Sequence, residues 1–598
     1  MKSKSLCLAA SLLTSVLTAP LAAQAYRDRL PEDEVIYFVL PDRFANGDPK
    51  NDQGGIKGGP LKHGFDPTHK GFYQGGDLKG LTQKLDYIQS LGITAIWFAP
   101  IFKNKPVQGG QGQESAGYHG YWITDFTSID PHFGTNAEFK TFVDAAHKRG
   151  MKVYMDIVAN HTADVIQYRD CPGDCAYRNI ADYPYSRKGG VTGAPINSGF
   201  AGDIVQTDEN FAKLTDMNFA YQPFVPKAEE NVKVPAWLND IRYYHNRGNS
   251  YWKGESVVYG DFVGLDDIAT ENPRVVRGFI NVFGKWIDDF GVDGFRIDTS
   301  KHVNSEFWQA FIPAMEERAK ARGIPNFHIF AEVMVDGVDT ATLARYNRTD
   351  HYNTLDFAFT WAVVEALSGQ NGPEALSRLI ANDVLYRDGP SSAKRMPTFL
   401  GNHDIARFST NLRKRMPDIS QGELLKRVQL GHALMFTMRG VPTIYSGDEQ
   451  GFVGDGGDQD ARETHFASKV KVYLDNDLIG TDNSHAVDNY AQDHPIYRHI
   501  AKLSKIRLAS PALRRGSTTV RNHGEKPGLF AFSRIDEASG EEVVVVANTS
   551  DQPITGNFEL SPRATAFSPV HGTCPVLNAP GSASVSLQPL DYVICTVK

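Results

Sequence analysis

In the segment Gly294-Phe-Arg-Ile-Asp-Thr-Ser-Lys-His302 a guanidinium and a carboxylate stand two residues apart. On a β-strand that spacing puts Arg296 and Asp298 on one face, with Phe295 and Ile297 on the other. A guanidinium beside a carboxylate keeps it ionised at neutral pH, and an ionised Asp is the nucleophile that attack on an anomeric carbon needs. Glu332 closes the run His328-Ile-Phe-Ala-Glu332, whose apolar approach suits a carboxyl of raised pKa, the state a proton donor requires. Asp404 ends Phe399-Leu-Gly-Asn-His-Asp404, and His161 and His403 fall beside comparable runs. Taken singly, each carboxylate reads as a structural ion pair. Three at successive strand ends, with two histidines, read as a catalytic site.

The elements that must position them alternate along the chain. Apolar or β-branched runs at Val35–Leu40, Ile93–Ala99, Val153–Val158, Phe295–Ile297, His328–Ala331, Leu355–Phe359, Thr398–Leu400 and Thr443–Tyr445 read as eight strands. Between them lie helical patterns. Thr135 with Glu138 forms a capping box ahead of Phe139, Phe142, Val143 and Ala146. Pro273 suits the first turn of a helix striped by Val276, Phe279, Ile280, Phe283 and Ile287. Eight strands alternating with helices predict an α/β fold, a parallel (β/α)8 TIM barrel with its active site at the C-terminal ends of the strands. Residues 162–264, rich in Gly, Pro, Asn, Asp and Tyr, are too long for a loop and predict an inserted domain. They split the barrel into 26–161 and 265–510. After Pro511, short runs at Gly528–Ser533, Glu542–Ala547, Thr555–Leu560 and Tyr592–Val597 predict a C-terminal antiparallel β-domain over 511–598.

Composition bounds the rest. The 598 residues are 41% hydrophobic and 22% charged, which excludes fibrous or wholly disordered forms. Acidic residues (70) outnumber basic ones (62), so no basic excess points to nucleic acid or an anionic membrane. Residues 1–25 carry Lys2 and Lys4, an apolar run Leu6–Ala23 and the small residues of Ala23-Gln24-Ala25. They are expected to be a signal peptide cleaved before Tyr26, and a membrane anchor is the alternative. Export to the periplasm or outside the cell follows. The four cysteines beyond it, Cys171, Cys175, Cys574 and Cys595, form an even count that suggests disulfides. Local pairing is the simplest of three connectivities, and no His accompanies Cys171–Cys175 at a usual zinc spacing.

The runs Asp156-Ile-Val-Ala-Asn-His161, Gly294–His302, Ala331-Glu-Val333 and Phe399–Asp404 resemble, in order, the four motifs of the α-amylase family (glycoside hydrolase family 13), as in secreted bacterial members. Gly75-Gly-Asp-Leu78, Gly92–Pro100, Tyr118-His-Gly-Tyr-Trp122 and Gly440–Glu449 match as well, so the resemblance covers about 35 to 505. It implies a barrel, an inserted domain B and a β-sandwich domain C. It also implies that Asp298 is the nucleophile, Glu332 the general acid/base and Asp404 a stabilising carboxylate. Arg296 would orient the nucleophile, His161 and His403 would bond the sugar, and Tyr121 would lie beneath it. Cleavage with retention sets the Asp298 and Glu332 carboxylates about 5–5.5 Å apart.

The same resemblance implies calcium, held at the junction of barrel and inserted domain by Asn160, Asp267 and a carbonyl of His302. Asp216 in Leu214-Thr-Asp-Met-Asn218 resembles the Asp267 motif, but Asp267 stands just ahead of the helix leading to Asp298 and is preferred. A second set, Asn46, Asp48, Asn51, Asp52, Gly75 and Asp77, resembles an N-terminal calcium loop, and its hard oxygen donors suit that ion. A solvated Asx-rich turn is the alternative.

Lys301-His302 is typical of polymer-cleaving members, where Lys301 serves the acceptor side. Val263 stands where cyclodextrin glucanotransferases place an aromatic, and one β-domain follows the barrel. The expected protein is therefore a monomeric, exported, calcium-binding hydrolase of internal α-1,4 bonds in starch, glycogen or maltodextrins. The alternatives are maltogenic amylase, neopullulanase or cyclomaltodextrinase, and transglycosylase activities, or, remotely, a non-catalytic glucan-binding relative. The aromatics of Trp237–Gly260 either shape the donor cleft or form a small core.

Overall fold

The computed structural model describes residues 25–598, so the expected signal peptide, all but its last residue, lies outside the described residues. Eight strands form one parallel sheet: β1 (Ile36–Val39), β2 (Ala95–Phe98), β3 (Lys152–Ile157), β4 (Gly294–Ile297), β5 (His328–Ala331), β6 (Asn353–Thr354), β7 (Pro397–Thr398) and β8 (Val441–Tyr445). Their order, β6-β5-β4-β3-β2-β1-β8-β7, is that of a barrel wall. The seam between β6 and β7 is spanned by a hydrogen bond from the Asp356 N–H to the Pro397 carbonyl, 2.9 Å. Strands β1 to β5 are buried throughout, because helices cover one face and the packed barrel interior the other.

Helix α1 (Asn136–Lys148) begins as expected, with the Thr135 hydroxyl accepting from the Glu138 N–H. Helix α2 (Pro273–Phe290) is capped by Asn272 and buries Phe279, Phe283 and Ile287. One strand differs from expectation. Leu355–Phe359 was expected to be extended, but β6 ends at Thr354 and Phe357–Leu367 is a helix, α4, that follows α3 (Thr340–Asp350). The Asp356 side chain accepts from the Phe359 N–H and so starts that helix. A short run of Phe and Ala suits either state, and the cap decides it. The expected strand Thr398–Leu400 is likewise shorter, ending at Thr398.

Between β3 and α2 the chain builds a separate small core from Tyr185, Phe211, Leu214, Met217, Phe219 and Tyr221. Arg247 lies over the rings of Tyr185 and Phe219, at 4.5 and 4.8 Å, and donates to the Arg178 and Tyr183 carbonyls. Asp216 belongs to a turn here, accepting from the Asn218 N–H and side-chain amide. The C-terminal region is an antiparallel sandwich of eight strands. One sheet comprises β9 (Ser517–Asn522), β10 (Leu529–Ile535), β11 (Glu542–Asn548), β16 (Tyr592–Val597) and β13 (Phe567–His571); the other comprises β12 (Ile554–Glu559), β15 (Ser582–Leu587) and β14 (Val576–Ala579). Sequence patterning found four of these; β9, β13 and β14 are edge strands with few buried positions, whereas β15 is the central strand of its sheet and alternates along Ser582–Leu587, a signal that patterning overlooked. Disulfides join Cys171 to Cys175 and Cys574 to Cys595.

Candidate active site

Register sets the centre of the site. Arg296 on β4 pairs with Asp156 on β3, and Ile297 pairs with Ala331 on β5. Asp298 and Glu332 therefore leave adjacent strands one residue past the ladder, where the Asp298 N–H bonds Ile157 and the Glu332 N–H bonds Ile297. The fully buried Arg296 guanidinium reaches three carboxylates: Asp298 Oδ1 at 2.7 Å, Asp156 Oδ1 at 2.9 Å and Glu332 Oε2 at 3.1 Å. Burial pushes the Asp298 carboxyl up, and Arg296 acts against it while Glu332 and Asp156 add to the rise. Asp156 is likewise raised by burial, to about 7, against the pull of Arg296. One cation among three carboxylates leaves negative charge in excess, so the group titrates as a unit. Glu332 meets polar partners rather than an apolar wall: its Oε2 also accepts from the Thr299 N–H at 2.9 Å.

Asp404 lies across the cavity at the end of β7, where Arg462 donates to its Oδ1 at 3.2 Å and His403 Nε2 lies 3.3 Å from its Oδ2. The Tyr121 hydroxyl joins His403 Nε2 at 2.8 Å and donates weakly to Asp156. His161 Nε2 faces the Tyr121 carbonyl at 3.2 Å, and burial lowers its pKa to about 3. His403 and His119 are also lowered by burial, so all three rings are neutral at physiological pH. Asp298, Glu332, Asp404, Tyr121, His161 and His403 all line one cavity of about 510 Å³. Arg296 sits beneath it, and Lys301 lines an adjoining cavity and donates to the Met334 carbonyl.

Four contributors were not anticipated. Arg462 sits in an irregular stretch after β8 without periodicity, and its guanidinium also donates to the His403 carbonyl and Tyr118 hydroxyl. Thr299 adopts a left-handed backbone, φ +45°, that a β-branched residue rarely takes. Asp156 and His119 lie within motifs that were noted, but neither had been given a role.

The family is decided by comparison. The alpha amylase catalytic-domain family model matches residues 38–516. The chain belongs to the alpha-amylase family. It is 45% identical to an alpha-amylase of Streptomyces lividans over 95% of its own length, and spans 61% of that relative. It is 28% identical to a cyclomaltodextrin glucanotransferase of Klebsiella oxytoca over 88% of this chain and 72% of that one. A solved alpha-amylase of Geobacillus thermoleovorans, complexed with acarbose, superposes with a TM-score of 0.66 at 25% identity, covering 95% of this chain and 99% of that one.

The two expected calcium sites differ. In the N-terminal loop the Asn46 and Asn51 side-chain oxygens are buried without a partner. Their amide groups turn the other way, to Asp52 Oδ1 at 2.8 Å and Asp77 Oδ2 at 3.3 Å. Asp77 also accepts from the N–H groups of Gly47, Asp48 and Gly80, while Asp48 lies 3.6 Å from Lys79. Burial, with Asp42, Asp77 and Asp48 nearby, pushes Asp52 up to about 6. Gly75 has φ +100°, and a Cβ there would lie 2.7 Å from the Asn46 amide nitrogen. At the inserted-domain junction the Asn160 side-chain oxygen is buried and unpartnered, as a cation ligand would be. Asp267, however, is engaged by His245 at 2.5 Å, which reaches Glu271 with its other nitrogen at 3.0 Å. Against burial, Glu271 and Asp267 push His245 up to about 10, while burial raises Asp267 to about 8, so the two share a proton and Asp267 is not a free carboxylate. The His302 ring faces the Val257 carbonyl at 2.8 Å. Among the described residues no three His, Cys, Asp or Glu side chains gather as a metal site, so a cation here would draw on amide and backbone oxygens.

Proposed function

We propose that this chain is a retaining α-amylase that hydrolyses internal α-1,4 bonds of starch, glycogen and maltodextrins. The observation that carries the reading is the single guanidinium bridging Asp298 and Glu332 at adjacent strand ends. Glu332 protonates the glycosidic oxygen as Asp298 attacks the anomeric carbon, forming a glycosyl ester. Water, deprotonated by Glu332, then releases the sugar with its configuration retained. Arg296 holds the nucleophile and favours its ionised form. Asp404, fixed by Arg462, bonds sugar hydroxyls and stabilises developing positive charge, and neutral His161 and His403 hydrogen-bond the same ring beside Tyr121. Lys301 serves the leaving-group side.

The N-terminal loop would offer calcium the unpartnered oxygens of Asn46 and Asn51 and the Asp52 carboxylate, with Gly75 as the turn beside them; Asp77 is engaged by backbone N–H groups and Asp48 lies beside Lys79, so both would take part only after rearranging. At the junction Asn160 fits, whereas Asp267 would be shared with His245, and His302 would contribute its carbonyl. Bound calcium would supply charge neutralisation and hold the loops in place. The boundaries 1–25, 26–161, 162–264, 265–510 and 511–598 are proposed as signal peptide, barrel, domain B, barrel and domain C. Export is the matching proposal, supported by the two disulfides, and the exported chain is proposed to act as a monomer.

A product time course on soluble starch tests the reading. Mixed maltooligosaccharides of α configuration are expected early. Predominant glucosyl transfer, or cleavage of cyclodextrins alone, would overturn it. Glu332→Gln is expected to lower kcat by roughly 10³-fold with maltodextrin binding retained.

A further inference from the structure

Resting on the α-amylase reading, we propose that Arg407 is a positioning residue for the reaction: from beneath the cavity it fixes Arg462, and through Arg462 it fixes the carboxylate of Asp404. Arg407 follows Asp404 closely in the chain, is 1% exposed and does not line the cavity, so it cannot touch the sugar. Its Nε donates to Glu463 Oε2 at 2.9 Å and its Nη1 to Asp448 Oδ1 at 2.7 Å. Its Nη2 donates to the Ser446 and Ala461 carbonyls at 3.2 and 3.3 Å. The Tyr445 hydroxyl, at the end of β8, donates to the same Ala461 carbonyl at 2.7 Å. Ala461 and Glu463 flank Arg462, so the clamp grips the chain on both sides of that residue.

That grip matters because the backbone there is irregular. The stretch Gly457–Glu463 contains one 3-10 turn, Asp458–Ala461, and belongs to no strand, so no ladder of backbone bonds sets where Arg462 stands. Arg462 then closes a ring back to β7. It donates to the His403 carbonyl at 2.9 Å and to Asp404 Oδ1 at 3.2 Å, and the Asp458 N–H donates to the Asp404 carbonyl at 3.1 Å. A planar guanidinium can meet two carboxylates and two carbonyls at once, whereas an ammonium meets fewer and in no fixed plane. Asp404 acts on charge that develops in the transition state, so loosening its support lowers kcat more than it raises KM.

A double-mutant cycle on maltopentaose tests this, with Arg407→Lys, Arg462→Ala and the two combined. Arg407→Lys is expected to lower kcat about 10-fold with less than a twofold change in KM, and Arg462→Ala to lower kcat about 100-fold. Because Arg407 acts through Arg462, the double variant should lie within about twofold of Arg462→Ala alone. Tyr445→Phe takes one donor from the Ala461 carbonyl and leaves the guanidinium in place. It is expected to lower kcat about threefold, again with no further loss when residue 462 is Ala, and it carries the test if Arg407→Lys does not fold. Unchanged kcat in these variants would overturn the proposal. Losses that multiply with that of Arg462→Ala would overturn it too, since they would mean a general structural role. A wild type that does not cleave maltopentaose would instead overturn the α-amylase reading.

Discussion

Arg296 shares one positive charge among three carboxylates, so the charge state of the site is set by the group rather than by Asp298 alone. Asp156 raises the Asp298 pKa through its charge, so removing that charge favours ionised Asp298. Asp156→Asn should therefore move the acid limb of the kcat/KM profile to lower pH. Its kcat should fall about 10-fold or more, because Arg296 and the Trp97 indole N–H lose an anionic partner. An acid limb that stays in place would show that Asp156 does not feel the nucleophile. Arg296, Asp298, Glu332 and Asp404 were legible in the sequence because strand ends with charged residues after apolar runs are informative. Thr299 was not, since a β-branched residue gives no hint of a left-handed backbone. Arg462 was hidden in a segment whose path is fixed by tertiary contacts.

At the scale of elements, short strands leave caps and ion pairs to set the boundaries. Asp356 ends the β6 segment, caps α4 and pairs with the buried Arg439, which also holds Asp383. Replacing Asp356 by Ala removes the cap and leaves a buried guanidinium with one carboxylate instead of two. A loss of about 3 kcal/mol is expected, read as a lower urea midpoint. A change below about 0.5 kcal/mol would mean that the run Phe357–Phe359 forms its helix unaided. The same example marks what patterning could resolve. It found seven of the eight barrel strands, but at β6 it read an apolar helix start as a strand and missed Asn353–Thr354, because periodicity cannot separate the two over five residues. The segment Trp237–Gly260 resisted for a related reason: its aromatics serve different neighbours. Trp237 packs on α2 through Phe279, Tyr244 joins the main core, and Trp252 faces the site.

Across the molecule, the regions are joined by buried cations rather than by long elements. Arg507, fully buried, donates to the Gly440, Leu513 and Phe436 carbonyls, and Arg534 of β10 donates to Thr437 at the end of helix α5 (Gln421–Thr437) and to Gly516. These contacts tie the sandwich to the barrel. Asp33 adds a third tie, accepting from Arg514 and Arg515. Against burial, these arginines hold its pKa below the usual carboxylate range. A depressed folded pKa means that this stabilisation is present above the unfolded pKa near 3.9 and is lost as pH falls through the folded value. Asp33→Asn should therefore flatten the acid side of the stability curve. No helix among the described residues is long and apolar enough to cross a membrane.

The N-terminal loop presents the opposite arrangement, an anionic cluster without a buried cation. Asn46 and Asn51 leave two carbonyl oxygens unpartnered and buried, at a cost of about 1–3 kcal/mol each. A cation would satisfy both and offset the charge of the neighbouring Asp52. Calcium at about 100 times its Kd would stabilise the folded state by about 2.7 kcal/mol. Chelation should therefore lower Tm by several degrees, and added calcium should restore it. The junction site would give the same response, so the two must be separated. Asn46→Ala with Asn51→Ala removes the orphaned oxygens of the N-terminal loop and leaves Asn160 intact. If that loop holds the ion, the double variant loses most of the difference in Tm between calcium and chelator. If the variant keeps the whole difference, the calcium lies elsewhere, and the unpartnered Asn160 oxygen beside Asp267 becomes the place to hold it.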